Sequence, residues 1–127
     1  YALSLYTSPR NTGDIDIFIN SSPKNAKQLV KVIDEFGFEN AGIEESDFIT
    51  KGRIIQLGVS PIRIDIINEI DGIDFLDAFK RKETFQFGKI SANFISRFDI
   101  IKNKKASNRK KDKADLDELE KFDDGKL

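Results

Sequence analysis

Two short segments in which isoleucine alternates with charged residues constrain the fold of this 127-residue chain most strongly. The segments are Asp14–Ile19 and Ile62–Ile67. Alternation with a period of two sends successive side chains to opposite faces of a β-strand. Both segments are therefore predicted to be strands. One face of each carries isoleucines that fix it against a core, and the other carries the acids Asp14 and Asp16 or Asp65.

Helix signals flank these strands on both sides. Ser22-Pro23 is typical of a helix start and Gly37 of a helix end, so a helix is expected between them. Ser96 is expected to cap another helix, with Asp99 three residues later completing a capping box. The other predicted helices are a short one at Asp74–Phe79, the end of one at Tyr1–Tyr6 that Ser8-Pro9 breaks, and a last one after a turn at Ser107-Asn108, with Leu116, Leu119 and Phe122 as its apolar stripe.

The order of elements predicts an α+β fold, with a mixed β-sheet flanked by helices and two C-terminal helices, rather than a repeated βαβ wind. Arg53–Val59 is expected to form a hairpin with Ile62–Ile67, and Thr84–Phe94 to hold one or two further strands. We expect one domain over residues 1–127, with 96–124 as its C-terminal helical part. The sequence contains no Met, so Tyr1 is not a translation start and we expect the N-terminus to be truncated.

The composition excludes several classes of chemistry. The chain has no His and no Cys, which excludes Ser-His-Asp and Cys-His nucleophiles, imidazole or thiolate zinc sites and disulfides. Any catalysis must use carboxylates, Lys or Arg, hydroxyls and hard metal ions. The formal net charge is −1, which argues against bulk nucleic-acid binding, but Lys102–Lys113 carries a net +6 and Ala114–Leu127 a net −4. A local anion-binding site therefore stays open.

The three strand carboxylates are the sharpest candidate site. Asp14 and Asp16 lie side by side on one strand face, where two ionised acids call for a cation. Asp65 lies within a second apolar strand and needs a partner or a ligand. Three carboxylates from adjacent strands suit two Mg²⁺ ions that clamp a phosphoryl transfer. The structural alternative is that Asp65 simply pairs with Arg63 or Arg53.

Three stretches together resemble the minimal nucleotidyltransferases of the DNA polymerase β-like superfamily, in particular bacterial domains related to abortive-infection and toxin–antitoxin nucleotidyltransferases. The stretches are Pro9–Ile17, Arg63–Ile67 and Lys104–Leu116. The resemblance implies that Asp14 and Asp16 bind metal, Mg²⁺ or alternatively Mn²⁺. It also implies that Asp65 is the third catalytic carboxylate, which aids the metal and deprotonates the acceptor hydroxyl.

Nucleotide binding is expected from residues on either side of the carboxylates. Arg10 has a planar fork suited to phosphate, and Gly13 permits a sharp turn or a close phosphate approach. The full expected set is Arg10, Thr12, Gly13, Lys104, Lys105 and Arg109. The alternative for the lysines is a solvated helix end, and Asp112 and Asp115 are expected to tie the cationic turn together. In the family a glycine pair opens the helix before the D-x-D segment, and here it would precede Tyr1.

Two classes of function follow from this pattern. The first is a nucleotidyltransferase that moves a nucleoside monophosphate from a nucleoside triphosphate to an acceptor hydroxyl on a tRNA, a protein or a small molecule. The second is a binding module of the same fold without turnover, an antitoxin-like or regulatory partner of another protein. A metal-dependent nuclease is a third reading of the same acids. The sequence shows no membrane span or signal peptide, so we expect a cytoplasmic protein without membrane contact.

Overall fold

The computed structural model describes residues 14–38, 41–59, 62–107 and 113–119, and for Asp14, Ile62 and Phe87 it describes the backbone alone. The described residues up to Glu69 form one compact unit, and those from Ile70 onward form a second. In chain order the first unit holds β1 (Asp14–Phe18), α1 (Pro23–Ile33), α2 (Glu45–Ile49), β2 (Ile55–Val59) and β3 (Ile62–Ile67). The second holds α3 (Phe75–Lys80), β4 (Glu83–Phe87), β5 (Ile90–Phe94), α4 (Arg97–Ser107) and α5 (113–119).

The first unit contains a three-stranded mixed sheet in the order β1-β3-β2. β3 runs parallel to β1 and antiparallel to β2. This confirms the predicted α+β class, the mixed sheet and the hairpin of β2 with β3. The central position of β3 brings Asp65 next to β1, because Asp65 is the register partner of Asp16.

The isoleucine face of β3 and the apolar face of β2 form the core of this unit, whereas the predicted burial of the isoleucines of the first strand segment holds only for Ile19. Ile55, Leu57 and Ile66 are buried together with Ala26 and Ile33 of α1. α1 therefore covers the apolar side of the sheet, and the charged positions of β1 and β3 lie on the opposite side. Ile15 and Ile17 keep 36% and 42% exposure, so the core is centred on β2 and β3 rather than on β1.

The start of α1 is where the sequence predicts it, and its end is earlier. The Ser22 side chain accepts a hydrogen bond from the Asn25 amide at 3.3 Å, and Pro23 occupies the first turn. Regular helix ends at Ile33, and Asp34–Phe38 continue as a wider turn in which Gly37 has φ of +95°. Gly37 thus supplies the left-handed conformation expected of a helix stop, but four residues beyond the last regular turn.

The helix α2 was not predicted from the sequence. Its N-cap is Glu44, whose backbone amide donates to the Asp47 carboxylate at 2.8 Å. Asn68 then fastens the following loop, donating to the carbonyls of Phe48 at 2.8 Å and Thr50 at 3.0 Å. Its side-chain oxygen accepts from the Gly52 amide at 3.1 Å. Asn68 is only 2% exposed, and its side chain satisfies the backbone groups that the end of α2 leaves without hydrogen-bond partners.

The second unit contains a separate two-stranded antiparallel sheet of β4 and β5. This confirms the strands predicted within Thr84–Phe94, although the structure does not join them to the mixed sheet. α3 begins after its cap Asp74, one residue later than predicted. α4 begins directly after Ser96, whose hydroxyl accepts from the Asp99 amide at 3.1 Å, so the predicted cap is confirmed.

Several predictions lie outside the described residues, namely the helix end at Tyr1–Tyr6, its break at Ser8-Pro9, Asn108, Asp112 and Phe122. Within α5, Leu119 is fully buried and Leu116 is half-buried, in agreement with the predicted apolar stripe. In the ranges described, no helix combines the length and apolar character needed to cross a membrane.

Candidate carboxylate site

The candidate site is built on the charged face of β1 and β3. Parallel pairing sets Asp14 opposite Arg63 and Asp16 opposite Asp65. Register partners on neighbouring strands lie about 4.8 Å apart and project their side chains to the same face. The Asp16 and Asp65 side chains therefore share one side of the sheet. The sequence prediction that Asp65 stands on a strand adjacent to the D-x-D strand is confirmed.

Asp65 and Asp16 occupy different environments on that face. Asp65 is 9% exposed, whereas Asp16 is an exposed residue. Two nitrogens of the Arg63 guanidinium approach the two Asp65 oxygens, Nε to Oδ1 at 2.9 Å and Nη2 to Oδ2 at 3.1 Å. Nη2 donates a hydrogen bond to Oδ2, whereas Nε and Oδ1 meet as an ion pair without hydrogen-bond geometry. This pair is the structural alternative that the sequence left open for Asp65, with Arg63 as the partner.

Arg53, the other suggested partner, belongs to a different pair. Its Nη1 lies 2.6 Å from Oδ1 of Asp47 in α2. The backbone hydrogen bond from Glu44 lowers the pKa of the Asp47 carboxyl, and the contact with Arg53 adds to this. Among the side chains described in the first unit, Asp47 therefore pairs with Arg53 in an exposed contact and Asp65 with Arg63 in a more buried one.

The predicted nucleotide-binding residues are only partly described. Arg10, Thr12, Gly13 and Arg109 lie outside the described residues, as does the side chain of Asp14. A grouping of three or more potential metal ligands is not found among the side chains that the structure describes. Of the three carboxylates predicted to bind metal, Asp16 and Asp65 have described side chains, and the register of β1 against β3 brings these two together.

Lys104 and Lys105 lie in the last turn of α4, in the second unit. Nζ of Lys104 is 3.3 Å from Oδ2 of Asp115, which is 1% exposed. Asp115 therefore ties α5 to the end of α4, the structural role predicted for it. Lys105 is exposed. A phosphate contact for these two lysines remains a prediction.

The carboxylates on the charged face of β1 and β3 have the chemistry of ligands for a hard cation. Carboxylate oxygens are the donors that Mg²⁺ prefers, usually as one or two carboxylates alongside water and substrate phosphates. Asp16 and Asp65 supply two such donors from neighbouring strands, and the backbone places Asp14 two residues before Asp16 on β1. These residue types therefore fit a divalent cation.

The second unit holds an ion pair between the buried Asp99, predicted only as part of a helix cap, and the exposed Arg81. Asp99 is fully buried and accepts from Arg81 Nε at 3.0 Å, Arg81 Nη2 at 2.7 Å and Ser96 Oγ at 2.9 Å. Burial raises the pKa of the Asp99 carboxyl, but the hydrogen bonds from Arg81 and Ser96 outweigh it, and the pKa lies below its usual value. The bond to Asp99 in turn raises the pKa of Arg81. The ring of the exposed Phe98 lies 5.1 Å from the Arg81 guanidinium.

Comparisons with protein-family models, with curated proteins and with solved structures found no match to this chain.

Proposed function

We propose that this chain is a nucleotidyltransferase of the DNA polymerase β-like fold, and that it transfers a nucleoside monophosphate from a nucleoside triphosphate to an acceptor hydroxyl with release of pyrophosphate. The observation that carries the proposal is the register of β1 against β3, which puts Asp16 beside Asp65 on one face of the sheet. The order D-x-D followed by a strand aspartate, and the lack of His and Cys, support the same chemistry.

In this proposal the carboxylates divide the work. Asp14 and Asp16 hold the divalent ions, Mg²⁺ or Mn²⁺, and Asp65 completes the site and accepts the proton of the acceptor hydroxyl. The bound ions supply charge stabilisation for the phosphoryl group in transfer. The isoleucines on the opposite face of β3 pack into the core, and β1 is held by its pairing with β3, so the acids are carried on a paired sheet.

The proposal assigns triphosphate contacts to cations outside the sheet. These contacts come from Arg10 and from the cationic segment with Lys104, Lys105 and Arg109, with Thr12 and Gly13 immediately before the first carboxylate. The acceptor is a tRNA end, a protein side chain or a small molecule. The protein is proposed to act in the cytoplasm.

The direct test is transfer of label from α-³²P nucleoside triphosphates, with Mg²⁺ present, to each class of acceptor. We expect the wild-type protein to label one acceptor and release pyrophosphate. Asp14→Asn and Asp16→Asn should each lower the rate by at least about 100-fold, the scale on which a lost electrostatic contact to the reacting group acts. Asp117→Asn, an exposed acid on α5, is the matched control and should retain full activity.

Equal activity in the wild type, Asp14→Asn and Asp16→Asn would refute the metal assignment. Cleavage of a nucleic acid with Mg²⁺ and no triphosphate would identify a nuclease instead. Both outcomes are read from the same reactions, resolved by gel and by thin-layer chromatography.

A binding module without turnover is the second candidate, and the Arg63–Asp65 contact favours it. The Arg63 guanidinium contacts both oxygens of Asp65, and these are the oxygens with which a catalytic carboxylate would bind metal or accept a proton. A module of this kind would leave every acceptor unlabelled and would act by binding another protein. A labelled acceptor excludes this candidate.

A further inference from the structure

The charged face of β1 and β3 carries one described cation among its acids. Arg63 stands two residues before Asp65 on β3 and opposite Asp14 in the register. Its guanidinium contacts both oxygens of Asp65. From this we infer that Arg63 is the built-in counter-ion of Asp65, which a divalent cation must displace, so that Arg63 sets the metal affinity of the site. The inference rests on the proposed function.

Burial is the reason that Asp65 needs a counter-ion. The Asp65 side chain is 13% exposed and that of Arg63 31%. An ionised carboxylate removed from water is costly unless it is paired and hydrogen-bonded. Arg63 supplies the opposite charge, with one hydrogen bond from Nη2 to Oδ2 and a second contact of 2.9 Å from Nε to Oδ1.

The same contact opposes metal binding in two ways. Both Asp65 oxygens lie within contact distance of the guanidinium, so a cation that takes Asp65 as a ligand competes with Arg63 for it. A guanidinium at contact distance also repels a divalent ion through a partly desolvated medium. The apparent affinity of the metal is then reduced by the fraction of molecules in which Asp65 is paired with Arg63.

Arg63 is thus a positioning residue rather than a catalytic one. It pairs with Asp65 and orients it in the metal-free protein, and it gives Asp65 up when metal arrives. Loss of its charge should tighten metal binding while weakening the metal-free fold. A residue that merely supports the strand would change stability without changing metal affinity.

The test is calorimetric titration of Mn²⁺ into the wild type, Arg63→Gln and Arg63→Lys, with thermal unfolding in chelator as the second readout. Arg63→Gln should bind Mn²⁺ about 10-fold tighter or more, the scale on which neighbours of metal ligands alter affinity, and should melt earlier in chelator. Arg63→Lys retains the charge and should bind within about 3-fold of the wild type. Arg53→Gln is the matched control, because it removes the exposed pair with Asp47 in the same unit, and its Mn²⁺ affinity should not change.

A measurement on the wild-type protein covers the case in which Arg63→Gln does not fold. The Nε–H resonance of Arg63, followed by nuclear magnetic resonance during a Mg²⁺ titration, should shift with the same midpoint as the backbone amide of Asp16. An unchanged resonance at saturating Mg²⁺ would overturn the inference.

The outcomes separate the inference from the proposed function. Equal Mn²⁺ affinity in the wild type and Arg63→Gln overturns the inference and leaves the metal site standing. Binding by Arg63→Gln alone supports the inference and favours the module without turnover. Absence of binding in the wild type and in every variant overturns both the inference and the metal assignment.

Discussion

The buried carboxylate of Asp99 gives the most quantitative prediction about stability. Asp99→Asn keeps the size of the side chain and removes its charge. One of the two oxygens that accept from Arg81 and Ser96 is replaced by an NH2 group, which cannot accept a hydrogen bond. Hydrogen bonds to charged groups contribute about 1.5–3 kcal/mol each. Because the Arg81 side chain is 40% exposed, water can rehydrate part of the guanidinium, so we expect a net loss of about 2–3 kcal/mol in the free energy of unfolding.

Asp47→Asn is the matched control for this substitution. Asp47 is also the third residue of its helix, also bonds to the N-terminal cap region and also pairs with an arginine. The two pairs differ in exposure, because the Asp47 side chain is 24% exposed and that of its partner Arg53 is 50% exposed. Exposed pairs contribute about 0–1 kcal/mol, so Asp47→Asn should lower the free energy of unfolding by no more than about 1 kcal/mol.

The assay is urea unfolding followed by far-ultraviolet circular dichroism, with amide hydrogen exchange of α4 as the local readout. A loss of about 2–3 kcal/mol corresponds to about 30- to 150-fold faster exchange in α4 for amides that exchange through reversible unfolding with fast reclosing, because about 1.4 kcal/mol is tenfold. Equal losses for Asp99→Asn and Asp47→Asn would refute the claim that burial sets the strength of the Asp99 pair.

The pH dependence supplies a second check on the same pair. The pKa of Asp99 is lower in the folded protein than its usual value. Its contribution is therefore fully present above the unfolded pKa of about 4 and is lost as the pH falls through the lower folded pKa. The stability difference between the wild type and Asp99→Asn should be constant from about pH 7 to 5 and should shrink below about pH 4. A difference that grows on acidification would contradict this sign.

Three further substitutions test the packing, each measured as the change in the free energy of unfolding in urea. Asn68→Ala leaves two carbonyls and one amide without their side-chain partner and should cost about 2–3 kcal/mol; a loss below about 1 kcal/mol would show that water replaces it. Gly72→Ala puts a Cβ 2.6 Å from the Cβ of Ala106, at a residue whose φ is +74°. Gly88→Ala is its control, because a Cβ there meets open space at a φ of +60° and should cost only about 1 kcal/mol of backbone strain. Gly72→Ala should therefore cost more than Gly88→Ala, and equal losses would refute the clash. Phe48→Ala removes a side chain that is 1% exposed in the core and should cost about 3–5 kcal/mol; a loss near 1 kcal/mol would mean that the core refills the space.

Local signals with a direct physical cause predicted much of the fold. Ser22-Pro23 marks the start of α1, because a side-chain cap and a residue without an amide hydrogen both suit a first turn. The alternation of isoleucine predicts β1 and β3, because one face of each must be buried. The prediction that α1 ends at Gly37 was wrong, because the regular helix gives way to a wider turn at Asp34. The spacing of apolar residues does not predict this change.

Elements held by tertiary contacts were not predictable from local pattern. α2 has five residues and Glu44 as its cap, which is not among the favoured cap residues. The end of α2 is fixed by hydrogen bonds from Asn68, about twenty residues further along the chain. No pattern in the local sequence predicts these hydrogen bonds. The separation of β4 and β5 from the mixed sheet likewise depends on long-range pairing rather than on alternation.

The candidate site was predictable in its residue types and in the adjacency of its strands. The i and i+2 spacing of Asp14 and Asp16, and the strand position of Asp65, follow from the period of two. The sequence left open whether Arg63 or Arg53 is the partner of Asp65, although Arg63 stands two residues before Asp65 on the same strand face. The hairpin of β2 with β3 decides it, because Arg53 precedes β2 and pairs instead with Asp47 in α2.

A crystal structure with Mg²⁺ and a non-hydrolysable nucleoside triphosphate would decide whether the three carboxylates form a metal site. We expect Mg²⁺ bound by carboxylate oxygens of Asp14, Asp16 and Asp65 at about 2.1 Å, with the triphosphate on the same ions and the Arg63 guanidinium released from Asp65. Magnesium bound elsewhere, or carboxylates of Asp16 and Asp65 too far apart to share an ion, would contradict this expectation.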